Sequence, residues 1–212
     1  MPTPSNPSTT STPGTRERLI DAMQDALRHK GYHGVGLSEI LAVAKAPKGV
    51  LYHHFPGGKS ELAVASIEAV VGHITAGLDK LLSRNADVVQ ALGAWMESAQ
   101  KALANSGYER GCPLATIALE SAPEDTAIRQ ALADGFAAIR ERLGRTLQHA
   151  GIEETRSRNL AALIVSAYEG ALVQSRVAGN VDAMHNTSHA LMDMVRMSLP
   201  AAVQPLPLGA TP

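Results

Sequence analysis

An all-α chain, with a small N-terminal three-helix unit of the helix-turn-helix type and a larger helical bundle behind it, is what the 212-residue sequence predicts. Three observations carry that expectation. Apolar residues recur at helical spacing along most of the chain, and no strand-like alternation of useful length occurs. Aromatic residues make up only 3% while Ala, Leu, Val and Met are plentiful, which favours helices packed through small and aliphatic side chains. The interruptions are helix boundaries: Gly31, the pair Pro47 and Pro56, Gly107 with Gly111, Pro123, Gly151 and Gly179-Asn180.

Residues 1–14 are almost all Pro, Ser and Thr, with neither the basic start nor the apolar stretch of a signal peptide. They are expected to form a disordered arm, as is the tail at 200–212. A first helix is expected from Thr15, as cap, to Lys30, with Leu19, Ile20, Met23, Ala26 and Leu27 as its apolar stripe. Leu37, Ile40, Leu41 and Ala44 then repeat the spacing of a buried helix face. A tight turn, Lys45-Ala46, leads to Pro47, which suits the first turn of a helix. Pro56 and the Gly57-Gly58 pair stop that helix after about two turns, too short to stand alone. It carries Lys48, Tyr52, His53 and His54 and little apolar surface beyond Val50, Leu51 and Phe55. A short polar helix held out after a buried one is the arrangement in which the second helix enters a DNA major groove. The head is expected over residues 15–58.

One long helix over residues 59–83 would connect this head to the rest, spanning roughly 35 Å. Further helices are expected over 88–105, 114–121, 125–149, 153–178 and 181–199, completing a body that runs from 59 to 199. In the last two, Ala162, Ser166, Gly170 and Gln174 fall at four-residue steps, and Leu191, Met194 and Val195 supply apolar bulk. Small residues allow close helix approach. That face serves either packing within the chain or a second subunit.

Net charge is −1, so a DNA-binding surface must be local and balanced by acidic residues elsewhere. The single cysteine excludes an internal disulfide framework and suits a reducing cytoplasm. No apolar run approaches the length of a membrane span, so no membrane partner is expected. His53 and His54 are adjacent and point about 100° apart on a helix, a poor metal pair with no third ligand nearby. No paired carboxylates, phosphate-cradling loop or nucleophilic triad suggests catalysis, and neither cofactor nor metal is expected. Cys112, before Pro113 at a helix start, is either a packing residue or a stabilised thiolate. Glu120, Glu169, Arg176 and His149 either line a pocket or face water.

The run Pro47-Lys48-Gly49-Val50-Leu51-Tyr52-His53-His54-Phe55, followed by Lys59-Ser60-Glu61-Leu62, resembles the DNA-binding signature of TetR-family transcriptional regulators. Phe55-Pro56-Gly57-Gly58-Lys59 and Gly111-Cys112-Pro113-Leu114-Ala115 resemble its LmrA/YxaF-like branch. The resemblance in helix layout covers about Thr15 to Leu199. It implies a homodimeric repressor, joined through its last two helices, that binds a palindromic double-stranded operator and releases it to a small-molecule effector. Lys45, Lys48, Gly49, Val50, Tyr52, His53, His54 and Lys59 are the expected DNA contacts. Among them Tyr52, His54 and Lys59 match phosphate contacts of the family, and Lys48 is placed to reach guanine O6 and N7. Trp95, Met96, Cys112, Thr116, Glu120, Phe136 and Tyr168 are the candidates to line an effector pocket. Two departures stand out: Val35 replaces the usual capping threonine, and Lys45 replaces the usual glycine of the turn. An α-helical carrier or enzyme with a vestigial head is the alternative from another class.

Overall fold

The structure, a computed structural model, describes residues 14–85 and 87–200. The expected N-terminal arm, apart from Gly14, and the expected C-terminal tail, apart from Pro200, lie outside the described residues. Among the described residues all regular structure is helical: α1 (Thr15–Lys30), α2 (Leu37–Ala44), α3 (Lys48–His54), α4 (Gly58–Leu82), α5 (Val88–Asn105), α6 (Pro113–Glu120), α7 (Thr126–His149), α8 (Glu154–Ala178) and α9 (Asp182–Ser198).

Local chemistry sets these boundaries, with small corrections. Gly14 rather than Thr15 is the N-cap of α1, and the Thr15 hydroxyl accepts from Arg18 Nη2 at 3.0 Å. Pro47 stands just outside α3 as its N-cap, at φ −66° and ψ 150°, rather than in the first turn. The ring's fixed φ suits that position equally well. Asp87 caps α5 by accepting from the Val89 N–H at 2.9 Å. Glu153 caps α8 through the Thr155 and Arg156 N–H groups, and those bonds hold its carboxyl below the usual range.

In the head, α1 and α2 pack together and α3 lies across both. Leu51 of α3 and its C-cap Phe55, 0% and 1% exposed, join Leu19, Met23, Leu27 and Ile40 in one core. Val35 is buried too; with Gly36 as N-cap, Val35 and Ile40 occupy the positions of a hydrophobic staple. The valine thus gives the entry to α2 an apolar anchor in place of a side-chain cap.

The core does not stop at the head. Leu19, Met23 and Leu27 of α1 belong to the same cluster as Leu62, Ala63, Ile67 and Val70 of α4, and it continues through α5, α7, α8 and α9 to Leu199. Ser66, fully buried in the α1–α4 interface, donates to the Leu62 carbonyl at 2.7 Å and approaches the Ile20 carbonyl at 3.5 Å. By length and composition α4 is apolar enough to cross a membrane, and its Leu62, Ala63, Ile67, Val70 and Leu78 are buried inside the protein. Gly135 lets α7 close on α4, since a Cβ there would stand 2.7 Å from Val71. Along α8, Ala162, Ser166, Gly170 and Gln174 are exposed. Leu191 and Val195, expected to face another subunit, instead are 3% and 0% exposed in the core of their own chain, because that side of α9 packs onto α5 and α8. Met194 is half-buried.

Lys45 holds a left-handed backbone, φ 50° and ψ 46°, as C-cap of α2. Its N–H reaches the Ala42 carbonyl at 3.2 Å. A left-handed conformation costs a residue with a Cβ about 1 kcal/mol. Lys45→Gly is therefore expected to preserve or raise stability by up to about 1 kcal/mol, and the β-branched Lys45→Val to lower it, in urea unfolding at equal m-value. Equal midpoints for the two variants would contradict the strained turn.

Candidate functional site

Burial of Leu51 and Phe55 fixes the roll of α3, and that roll decides which side chains face outward. Lys48, Gly49, Tyr52 and His53 are exposed, while Val50 and His54 are intermediate. A Cβ built at Gly49 meets nothing within 4 Å, so the fold itself does not require glycine there. Tyr52 is 44% exposed and its ring leans over Gly58, at the φ +66° start of α4. Lys45 extends this face from the turn. The nearby acids are already engaged: Glu39 pairs with Lys30 at 2.5 Å, and Glu61 accepts from the Gly57 N–H at 2.7 Å. Lys45 and Lys48 thus stand exposed on this side of a nearly neutral chain.

Two residues that the sequence reading missed hold this face in place. Arg18 Nε donates to the Ala44 carbonyl at 3.2 Å, joining α1 to the C-terminal end of α2, where cationic groups are favoured. Asp125 links head to body, meeting His33 Nε2 at 3.1 Å and accepting from the Ala122 N–H at 2.9 Å. The Ala122 bond first, then His33, holds its carboxyl below the ordinary value. Lys59, expected at a phosphate, donates instead to the Tyr32 carbonyl at 2.6 Å with its ammonium 4.4 Å from the Tyr32 ring centre. Burial there pushes its pKa down. Beside it the Glu120 carboxylate packs over Gly31 so closely that a Cβ at Gly31 would overlap it. One short helix, α6, thus ends against the α1–α2 loop of the head.

The other end of α6 borders a cavity of about 450 Å³ between α4, α5, α7 and α8. Of the expected pocket residues, Trp95, Cys112, Phe136 and Tyr168 line it. Trp95 and Tyr168 stack with centroids 5.6 Å apart and planes 27° from parallel. Met96 does not reach it: at 1% exposure it turns into the main core on the other side of α5. Thr116 and Glu120 line a separate groove on the outer side of α6 and α8. Glu169 stands in the wall common to both spaces. Its Oε2 is buried without a hydrogen-bond partner, and burial pushes its pKa up, a rise that the Cys112 thiol beside it partly offsets. Burial also pushes the Cys112 thiol and the Tyr168 phenol up, so Cys112 is a protonated packing residue. A charged residue between alanine, tyrosine and glycine in a helix pattern gave no sign in sequence of which way it points.

Two family models match this chain: the bacterial regulatory proteins of the tetR family over residues 19–65, and the C-terminal domain of LmrA/YxaF-like transcriptional regulators over residues 88–190. The HTH-type transcriptional regulator LmrA of Bacillus subtilis is 24% identical over 182 residues, covering 86% of this chain and 97% of that protein. The uncharacterized HTH-type regulator YxaF of the same organism is 28% identical over 169 residues, covering 78% and 87%. In three dimensions the chain is similar to the regulatory protein TetR from Rhodobacter sphaeroides, at 26% identity and TM-score 0.73 over 85% of this chain and 98% of that one. It also shares the fold of reduced Escherichia coli NemR, at TM-score 0.74 and 22% identity over 85% and 97%.

The buried Glu169 has a consequence for stability. A carboxyl whose pKa is raised on folding binds its proton more tightly in the native chain than in the unfolded one. Stability is then lost as pH rises from the ordinary carboxyl range through the raised native value. Glu169→Gln removes this titration, so urea unfolding across that interval is expected to show the variant gaining on the wild type as pH rises. A constant difference between the two at every pH would contradict the assignment.

Proposed function

The chain belongs to the TetR family of bacterial regulatory proteins and is a DNA-binding transcriptional regulator; from this premise we propose that it is a dimeric repressor that releases its operator when a small molecule fills the α4–α5–α7–α8 cavity. The observation that carries the reading is the exposed polar face of α3, with Lys48, Tyr52 and His53 outward and open space at Gly49. On this proposal Lys48 reads base edges, Val50 meets a thymine methyl, and Lys45, Tyr52, His53 and His54 meet or approach the phosphate backbone. Lys59 joins them only by leaving Tyr32. The role is regulatory rather than catalytic, and it is exercised in the cytoplasm.

Dimerisation through α8 and α9 is supported by an unpartnered face. Ala162, Ser166 and Gly170 are exposed beside Leu163, Val173 and Val177, which are 39%, 50% and 85% exposed, and Met197 of α9 is 71% exposed. A C2 pair joined there would present two copies of α3 to a palindrome. Coupling between cavity and head has a physical route in α6, which begins at Cys112 in the cavity wall and ends at Glu120 against Gly31.

Two experiments test this function. In operator titrations, Lys48→Ala is expected to relax preference at one or two base pairs. Gly49→Ala should weaken all binding while raising stability by about 0.5–1 kcal/mol, since a helix favours alanine and the site has room for it. Lys59→Ala is expected to lower the salt slope by about 1 if the ammonium moves to a phosphate. Retention of wild-type affinity by Lys48→Ala and Gly49→Ala would sink the placement of α3.

The second experiment concerns release. An effector that lowers operator affinity about a hundredfold must bind the free shape more tightly by about 2.7 kcal/mol. Trp95, the single tryptophan, lines the cavity, so effector binding is expected to change its fluorescence over the concentration range that releases operator. Operator must weaken that binding by the same factor. A ligand that quenches Trp95 equally well with and without operator would rule out the switch for that ligand.

A further inference from the structure

The cavity contains one group that the fold leaves incomplete. Glu169 Oε2 is buried without a hydrogen-bond partner of its own, the Cys112 thiol lying beside the same carboxyl, although buried carboxyl oxygens are ordinarily bonded. Leaving it so forfeits its hydration with nothing in return. Among the described residues lining the cavity Glu169 is the one carboxylic acid. The same wall presents the stacked rings of Trp95 and Tyr168, whose faces are electron-rich. Three basic side chains also line the space. Arg110 is more than half exposed and is drawn to Asp25 at 3.6 Å, which places its charge outside. His73 is exposed on α4, and Arg28 enters from α1. Arg110 and His73 thus stand at the edge of the space, while Arg28 and Glu169 are both partly buried in its wall.

A ligand that completes this site must bring a hydrogen-bond donor to Oε2 and a flat apolar body to the rings. A cationic donor satisfies both features at once: its bond to a carboxylate is about twice as strong as a neutral one, and aromatic faces attract it. We infer that the effector cavity is built for a flat aromatic cation, whose N–H groups bond Glu169 while its ring lies against Trp95 and Tyr168. This rests on the proposed role of the cavity as the effector site. It assigns to Glu169 the choice of ligand charge, while the aromatic wall accepts neutral and charged rings alike.

The test uses the full-length protein without DNA and two nearly isosteric probes, naphthalene carboxamidine, a cation, and naphthalene carboxamide, which is neutral. Quenching of Trp95 reports binding. Wild-type protein is expected to bind the amidine about tenfold or more tightly than the amide. Glu169→Gln is expected to bring the two within about twofold, chiefly by weakening amidine binding. Equal affinities in the wild type would overturn the inference, as would absence of quenching by the amidine. So would an undiminished preference in a Glu169→Gln variant that melts like the wild type. Should that variant fail to fold, the wild-type comparison decides alone. Operator titration separates this inference from the proposed switch. Glu169-dependent amidine binding that leaves operator affinity unchanged upholds the site and refutes release. Release by a neutral ligand, with no amidine preference, upholds the switch and refutes the site.

Discussion

The seat of α1 on α4 is the contact on which the rest of the molecule depends. A helix as short as α3 has no independent stability and keeps its shape because Leu51 and Phe55 are buried against its neighbours. Those neighbours are themselves held by α1, whose Leu19, Met23 and Leu27 share a core with Leu62, Ala63 and Ile67. The buried Ser66, bonded within α4 and close to the Ile20 carbonyl, marks how closely the two helices approach. Because α4 also forms one side of the internal cavity, the orientation of the reading face and the shape of the cavity share a wall. Any displacement of α4 must carry α1 with it or open a gap in a close-packed core.

Charge is arranged locally rather than globally. A chain with net charge −1 presents a basic face only if its acids are occupied or distant. Glu39 is paired with Lys30, and the Glu61 carboxylate is drawn to the Gly57 N–H before the start of α4. Lys59 shows the competing demand. Its ammonium satisfies the Tyr32 carbonyl and ring inside the head, which stabilises the α1–α2 loop while taking one cation from the outer face. His33 and Asp125 join that same loop to the α6–α7 connection, so the loop is tied on both sides.

The interior makes the opposite arrangement. Glu169, Cys112 and Tyr168 are all pushed toward their neutral forms by burial and form a polar cluster at the edge of an aromatic wall. Such a cluster is costly unless something completes it, and in the described residues Oε2 is not completed. Polar groups of this kind in an otherwise apolar cavity are what orient a ligand and set its specificity.

Helix positions were legible in the sequence to within a residue or so, because periodicity, prolines, glycines and caps are local. Leu37–Ala44 emerges at its expected bounds, and the left-handed Lys45 follows from a lysine standing in a turn that usually has glycine. The short polar helix was likewise identifiable, since Pro47 and Pro56 frame it and its donors lie within it. Partnership was not legible. Apolar spacing establishes that a helix has a face to bury, but Leu191 and Val195 fit a neighbouring subunit and their own core equally well until α5 and α8 are in place. Met96 and Trp95 are adjacent in sequence, and only the packing of α5 sends one into the core and the other to the cavity. Arg18 at the Ala44 carbonyl, Asp125 at His33 and the unpartnered Glu169 depend on segments far apart in the chain. By itself the sequence determined the helices, their turns and the outward chemistry of α3. Tertiary structure alone decided which faces are spent inside, because burial depends on the neighbour a helix meets and not on the pattern it carries.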